Sequence, residues 1–85
     1  SEFYGLYVCP DIDTVIYTLA DMVNPQTGWG LVDDSFQALA ELKALGCETW
    51  FQLGDRDFAT HIWRTMLLRQ GQTLSQVTQK LAQMR

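Results

Sequence analysis

The sequence predicts an all-α protein, a small four-helix domain with an orthogonal or bundle-like arrangement. Apolar residues recur at three- and four-residue spacings in its main segments, which is the pattern of amphipathic helices. Residues typical of helix starts and ends flank those segments. The 85 residues suffice for one domain, and an apolar content of 47% indicates a globular rather than a disordered chain.

The first predicted helix begins at Pro10, because proline suits the first turn of a helix, where a backbone N–H would lack a partner anyway. Asp11 and Asp13 favour the positive end of the helix dipole. The apolar face, which we expect to pack inward, comprises Ile12, Val15, Ile16, Leu19, Met22 and Val23.

The second predicted helix runs from Asp34 or Ser35, both good N-caps, to Leu45, and Gly46 stops it. The turn residues of NPQTGWG (24–30) separate it from the first helix. The segment CETWFQL (47–53) is short, partly aromatic and bounded by glycines, which predicts an extended connector.

The third predicted helix begins with Asp55 as its N-cap and stops at Gly71. The fourth begins at Thr73, where Gln76, three residues later, completes a capping box. Its predicted buried stripe comprises Leu74, Val77, Leu81 and Met84.

Composition excludes several classes of protein. No apolar run approaches the roughly 20 residues of a membrane span, and the start of the chain lacks the pattern of a secretion signal. Cys9 and Cys47 lie far apart, without a CxxC motif or paired histidines, which argues against a zinc site. We interpret them as reduced, buried thiols of a cytoplasmic protein. Because SEFYGLYV opens without an initiating Met, we expect the chain to be a piece of a longer protein.

The net charge of −4 conceals an asymmetry along the chain. All ten acidic residues precede Phe58 and only two bases accompany them, so this part carries −8. Four bases and no acid follow, so the remainder carries +4. This polarity fits either an anionic ligand near the C-terminal helices or packing of the two parts against each other.

The third helix carries a polar face. On a wheel of about 100° per residue, Asp57, Thr60, His61 and Arg64 gather on one side, opposite the apolar residues. Asp57 and His61 are four residues apart and His61 and Arg64 three, so these side chains can touch. On spacing alone, an exposed, solvated polar face is a commoner explanation than a functional site.

Three motifs together resemble a known family. CPDIDTVIYTLA (9–20), TGWGLVDDSF (27–36) and LGDRDFATHIWRTMLLRQGQTLSQVT (53–78) resemble, in order and spacing, the 2-phospho-L-lactate transferase family of coenzyme F420 biosynthesis. The resemblance covers almost the whole chain, and the third motif is too long and specific for coincidence.

The resemblance implies a magnesium-dependent transfer of a phospholactyl or phosphoenolpyruvyl group from a guanosine diphosphate-linked donor to the deazaflavin Fo, with release of GMP. It also implies a Rossmann-like core, with a glycine-rich loop and an NTGDD-like acidic motif, into which this helical subdomain is inserted. The subdomain would help to form the acceptor pocket. We therefore expect the Mg²⁺ ligands to lie outside these 85 residues and the chain alone to be inactive. The residues leave open which donor is used and whether the full-length protein is a homodimer.

The resemblance assigns two contacts with the deazaflavin. Asp13 matches one contact position, and Gln52 matches a second, where we expect Lys or Arg. It identifies no catalytic residue. The residues predicted to border the active-site cleft, without an individual role, are Asp55, Arg56, Asp57, His61 and Arg64.

Two other functions remain open on the sequence. LLRQGQTLSQVTQKLAQMR (67–85) superficially resembles the opening helices of a helix-turn-helix, but no recognition helix follows it and the domain is acidic, whereas nucleic-acid binding needs a basic surface. A relative that kept the helical scaffold for protein interaction is the other alternative. A glycine-rich loop and NTGDD upstream of Ser1 would favour the enzyme.

Overall fold

The computed structural model describes residues 2–28, 30–49 and 52–85. Four helices dominate it, so the predicted all-α class is confirmed. The sequence analysis did not anticipate a short antiparallel hairpin at the start of the chain. The elements are β1 (Glu2–Phe3), β2 (Leu6–Tyr7), α1 (Pro10–Leu19), α2 (Gln37–Ala44), α3 (Asp55–Arg69) and α4 (Leu74–Met84).

The hairpin turns tightly at Tyr4 and Gly5, whose φ angles are 48° and 78°. Positive φ at both central residues is the geometry of a type I′ turn, which matches the twist of a two-stranded hairpin. The backbone N–H of Tyr7 donates to Thr65 Oγ1 at 2.7 Å, and Arg69 Nη2 donates to the Gly5 carbonyl at 3.1 Å. The hairpin is therefore attached to α3.

Helix α1 begins at Pro10 as predicted, but its buried side is rotated from the predicted one. Ile16 and Tyr17 are buried, whereas Val15 and Leu19 of the predicted stripe are 58% and 83% exposed. The rotation brings Asp13 inward, to 3% exposure. The prediction for Val15 and Leu19 was therefore wrong, because burial of a polar group on α1 displaced apolar residues from the interior.

Helix α2 begins at Gln37, two to three residues later than predicted, with Phe36 at the N-cap position. Asp34 and Ser35 do not cap it in the usual way. The Asp34 side chain bonds to the start of α3 instead. At its other end α2 stops before Gly46, as predicted, and that glycine has a φ of +88°.

Helix α3 starts at Asp55, but the N-cap position is held by Gly54, so the prediction of Asp55 as the N-cap was wrong by one residue. The expectation of a solvated polar face was also wrong. Thr60, His61, Arg64 and Thr65 are buried, while the apolar Ile62 and Met66 are 51% and 48% exposed.

Helix α4 follows the prediction closely. Thr73 Oγ1 accepts from the Gln76 backbone N–H and the Gln76 side chain accepts from the Thr73 N–H, which confirms the capping box. Val77 and Leu81 are 0% and 1% exposed, as the stripe predicted. Met84 is 64% exposed, because it occupies the last turn, beyond the core, and that part of the prediction was wrong.

The apolar core is small and joins α1 to α4. Its buried members are Ile16, Tyr17, Leu31 and Leu81, with Trp63 packed against them. Leu31 is placed by a β-bridge with Val23, which closes the predicted 24–30 turn. A core of this size leaves much of the interior of the domain to polar groups.

The segment between α2 and α3 and the two cysteines were also the subject of predictions. Residues 47–49 and 52–54 form neither helix nor strand, while Trp50 and Phe51 lie outside the described residues. Both cysteines are free, as predicted, but half-buried rather than buried. In the part of the chain that the structure describes, no helix combines the length and apolar character needed to cross a membrane.

Candidate functional site

The buried polar face of α3 meets α1 in one cluster of ionisable side chains. Arg64, which has no exposed surface, donates from Nη2 to Asp13 Oδ1 in a charge-assisted hydrogen bond. Asp13 lies on α1 and Arg64 on α3, so this ion pair crosses the domain. The ion pair also joins the acidic first part of the chain to the basic remainder. It therefore supports the second explanation of the charge asymmetry, in which the two parts pack against each other.

Arg64 also contacts two acceptors through Nη1. The Tyr7 carbonyl lies 3.4 Å away, and His61 Nδ1 lies 3.2 Å away. A guanidinium has donors only, so His61 Nδ1 must act as the acceptor. The neutral imidazole then carries its proton on Nε2.

His61 lies between two carboxylates. Its Nδ1 is 3.7 Å from Asp13 Oδ2, and its Nε2 is 3.8 Å from Asp57 Oδ2. Burial lowers the pKa of His61 below its ordinary value, the two carboxylates oppose this effect, and the Arg64 charge adds to it. We therefore describe His61 as a neutral ring that accepts from Arg64 and directs its N–H toward Asp57.

Tyr17 connects α1 to the same carboxylate. Its hydroxyl donates to Asp57 Oδ1 at 2.7 Å, and Thr60 Oγ1 lies 3.3 Å from it. Burial and the neighbouring Asp57 charge raise the pKa of Tyr17, so the hydroxyl stays protonated and remains a donor. Arg85 Nη2 donates to Thr60 Oγ1 at 3.2 Å, which joins the end of the chain to the cluster.

These contacts form one cluster of polar side chains between α1 and α3. Asp13 and Tyr17 are one turn apart on α1, and Asp57, His61 and Arg64 occupy successive turns of α3. Two side-chain atoms of the cluster, Asp13 Oδ2 and Arg64 Nε, are buried and have no hydrogen-bond partner. Asp13 itself is 3% exposed and Arg64 0%. A buried polar atom without a partner is rare and calls for an explanation.

A small cavity lies on the other side of Asp57. It has a volume of about 30 Å³ and is lined by Asp57, Gln52, Gly54 and Asp34, among others. This volume holds about two water molecules and is too small for a ring system. Gln52 is exposed and lines this cavity, whereas Asp13 is not among the residues that line it. Contact of Asp13 and Gln52 with the deazaflavin stays a prediction.

The starts of α2 and α3 cap each other. Asp34 accepts from the backbone N–H groups of Arg56 at 2.9 Å and Asp57 at 3.2 Å, in the first turn of α3. Asp55 accepts from the N–H groups of Gln37 at 3.1 Å and Ala38 at 2.9 Å, in the first turn of α2. Each carboxylate therefore satisfies donors that the other helix leaves unpaired.

The close approach of these caps requires glycine at position 54. A Cβ built on Gly54 would overlap the Asp34 carboxylate, so any side chain there would displace the cap. Ser35 Oγ donates to Asp55 Oδ2 at 2.6 Å, and these bonds hold the pKa of Asp55 below its ordinary value.

The structure therefore divides the residues that were predicted to border the cleft. Asp57, His61 and Arg64 join Asp13 in the buried cluster, whereas Asp55 serves the cap and Arg56 Nη1 approaches the Val32 carbonyl at 3.5 Å. Whether any of them borders an active-site cleft stays a prediction. Thr65, whose hydroxyl joins the hairpin to α3, was not among the predicted site residues. No sequence signal marked it.

The cluster offers a poor site for magnesium. Asp13, Asp57 and His61 each have a ligand atom within 4.8 Å of the others. Mg²⁺ prefers oxygen ligands in octahedral geometry, but one of these three donors is an imidazole nitrogen. One of the carboxylates already binds the Arg64 cation. Among the described residues, this set of ligands therefore does not fit Mg²⁺. The presence of Mg²⁺ ligands elsewhere in the full-length protein stays a prediction.

Comparison with known proteins gives a consistent result. Residues 1–85 match the family profile described as 2-phospho-L-lactate transferase CofD. A phosphoenolpyruvate transferase of Streptomyces griseus is 56% identical over 81 residues, which is 94% of this chain and 26% of that protein. A phosphoenolpyruvate transferase of Mycobacterium tuberculosis H37Rv is 52% identical over 79 residues, 92% of this chain and 24% of that protein. The chain spans about a quarter of the length of the curated relatives that it matches.

Proposed function

Because the chain belongs to the 2-phospho-L-lactate transferase family, we propose that the full-length protein is a transferase of coenzyme F420 biosynthesis. It moves a phosphoenolpyruvyl group from a guanosine diphosphate-linked donor to the hydroxyl of the deazaflavin Fo and releases GMP. The observation that carries the proposal is the family match over residues 1–85. The enolpyruvyl rather than the lactyl donor is favoured because the relatives at 52% to 56% identity are named phosphoenolpyruvate transferases.

Within this reaction the 85-residue chain is the acceptor side of the enzyme. The donor and Mg²⁺ bind to a Rossmann-like core, into which this helical domain is inserted. Two facts support this division. The relatives are about four times as long as the matched segment, and the described residues contain a buried carboxylate cluster that fits magnesium poorly.

Asp13 is the proposed contact with the acceptor. Its Oδ1 is bound by Arg64, while its Oδ2 is free to accept a hydrogen bond from a hydroxyl. Such a bond orients the acceptor oxygen for in-line attack on the donor phosphorus, and positioning contributes to lowering the barrier. Because Asp13 is 3% exposed, the acceptor reaches Oδ2 only when the side chains that cover it shift.

Gln52 is the second proposed contact. It is exposed and lines the small cavity that Asp57 also lines. As a neutral amide it can donate to a carbonyl of the deazaflavin, whereas the Lys or Arg that we expect at this position would add a charge.

The test uses the purified full-length protein with Fo, Mg²⁺ and either the enolpyruvyl or the lactyl guanosine diphosphate donor. We expect GMP release and a product whose mass corresponds to Fo plus the phosphoenolpyruvyl group, with slower turnover of the lactyl donor. The 85-residue chain alone should give no product, because phosphoryl transfer needs a phosphate cradle and a positioned metal. Absence of GMP release with both donors would contradict the proposal.

An exposed-residue variant tests the acceptor side. Gln52→Ala should raise the KM for Fo several-fold with little effect on the KM for the donor, because it removes an amide without disturbing the fold. The matched control is Gln70→Ala, at an exposed position just beyond the end of α3, which should leave both values unchanged. Equal effects of the two substitutions would remove Gln52 from the acceptor site.

A further inference from the structure

The two oxygens of the Asp13 carboxylate have different surroundings. Oδ1 receives the guanidinium of Arg64, whereas Oδ2 has no hydrogen-bond partner, and His61 Nδ1 lies 3.7 Å from it. Leaving a buried acceptor unpaired costs free energy. A fold that needed this carboxylate only for cohesion would gain from a partner on both oxygens.

Arg64 is held on several sides. Nη1 contacts the Tyr7 carbonyl at 3.4 Å and His61 Nδ1 at 3.2 Å, while Nη2 binds Asp13. His61 is in turn directed toward Asp57, whose other oxygen accepts from the Tyr17 hydroxyl. The guanidinium is planar and rigid, so fixing these contacts also fixes the direction from which it meets the Asp13 carboxylate.

We infer that Arg64 is a positioning residue of the acceptor site, which holds Asp13 through Oδ1 so that Oδ2 is presented to the acceptor hydroxyl. This inference rests on the proposed function. We place Arg64 behind Asp13 rather than against the substrate, because both of its Nη atoms are occupied by the protein; its Nε is buried and has no hydrogen-bond partner. It acts through the place and the charge of the Asp13 carboxylate.

The charge effect makes the inference testable by pH. Burial raises the pKa of Asp13, and the hydrogen bond and charge of Arg64 oppose that rise. A charged His61 also lowers this pKa, to a smaller extent, and the Asp57 charge raises it. Removal of the cation therefore leaves a buried carboxyl whose pKa rises further. A neutral Asp13 presents a poorer acceptor to the substrate hydroxyl, so the acid limb of the rate profile should move with the charge at position 64.

The experiment measures kcat and the KM for Fo in the full-length enzyme across acidic and neutral pH. Arg64→Gln should lower kcat/KM for Fo at least about tenfold, equivalent to 1.4 kcal/mol, and move the acid limb to higher pH. Arg64→Lys restores the charge, so its acid limb should return toward that of the wild type. Its KM for Fo should stay raised, because an ammonium cannot contact Asp13, His61 and the Tyr7 carbonyl together.

The matched control is Arg69→Gln, on the same helix, which removes the exposed bond to the Gly5 carbonyl. It should leave the acid limb and the KM for Fo unchanged. If Arg64→Gln does not fold, Arg64→Lys decides. A lysine variant with wild-type kcat and KM would overturn the inference, as would an Arg64→Gln enzyme whose loss follows its folded fraction with an unmoved acid limb. A wild-type enzyme that does not use Fo would instead refute the proposed function.

Discussion

Helices α3 and α4 are neighbours in the chain and are built in opposite ways. α4 buries the apolar Val77 and Leu81 and caps its own start through Thr73. α3 buries polar side chains and leaves the apolar Ile62 and Met66 half exposed. The amphipathic pattern of α4 therefore predicts correctly which of its sides faces the interior. The pattern of α3 predicts that its polar side faces solvent, whereas the structure buries that side.

The difference shows where long-range partners override a local pattern. α4 satisfies its own donors through the capping box and buries apolar area, which is the usual source of stability. α3 depends on groups from elsewhere in the chain, since Asp34 caps its start and Asp13 neutralises Arg64. Departures from local sequence preferences tend to occur at functional sites. We therefore expect α3 to carry functional residues.

The largest expected effect comes from breaking the buried ion pair. Arg64→Ala leaves Asp13 buried without its cation, and removal of one partner of such a pair costs about 3–5 kcal/mol. Urea or thermal denaturation of the 85-residue chain measures the loss. The comparison substitution Arg69→Ala, at an exposed position, should cost no more than about 1 kcal/mol. Similar losses at the two positions would mean that the buried polar side of α3 contributes no special stability.

A slightly smaller effect is expected at the core of α4. Leu81→Ala removes a side chain that is 1% exposed, and buried Leu→Ala substitutions cost about 2–5 kcal/mol, with the low end applying where the site can collapse. We expect the low half of that range, because the core has few members. Met84→Ala on the same helix, at 64% exposure, should change the free energy of unfolding by about 0.5 kcal/mol or less. Chemical denaturation distinguishes the pair, and equal losses would place Leu81 outside the core.

The smallest effects on stability are expected at two helix caps, Thr73 and Asp55. The pH dependence of the loss distinguishes the two. Thr73→Ala should cost about 1 kcal/mol at any pH, because a hydroxyl cap carries no charge. The pKa of Asp55 is lowered in the folded state, so its stabilisation is complete above the ordinary Asp pKa and is lost as the pH falls through the lowered value. Asp55→Asn should therefore remove an acid-sensitive part of the stability, as seen in melting temperatures across acidic pH. An unchanged acid dependence would show that Asp55 does not contribute through its charge.

Local signals were sufficient for much of the fold. Pro10 marked the start of α1, the spacing of Thr73 and Gln76 marked the cap of α4, and glycines marked helix ends. These features depend on residues within a few positions of each other. The hairpin was not predicted, because its strands have only two residues each and so show no alternating pattern. A hydrogen bond to α3, which is distant in sequence, helps to hold it.

The candidate site was predicted only in part, for a physical reason. The spacing of Asp57, His61 and Arg64 on one helix face showed that these side chains could meet. It could not show that the face turns inward, because that depends on Asp13 on α1, 51 positions before Arg64. The prediction of Asp55 as the N-cap of α3 was wrong for the same reason. The Asp55 carboxylate accepts hydrogen bonds from the first turn of α2 instead.

The reciprocal cap couples the beginnings of two helices that are separated by a loop. If α2 frays at its first turn, Asp55 loses the N–H donors of Gln37 and Ala38, and we expect the nearby Asp34 to leave the start of α3 more readily. We therefore expect the amides of Gln37, Ala38, Arg56 and Asp57 to exchange their hydrogens as one cooperative unit rather than as two independent helix ends. Since Asp57 also belongs to the cluster around Asp13, we expect a local opening at α2 to reach that cluster through Asp57.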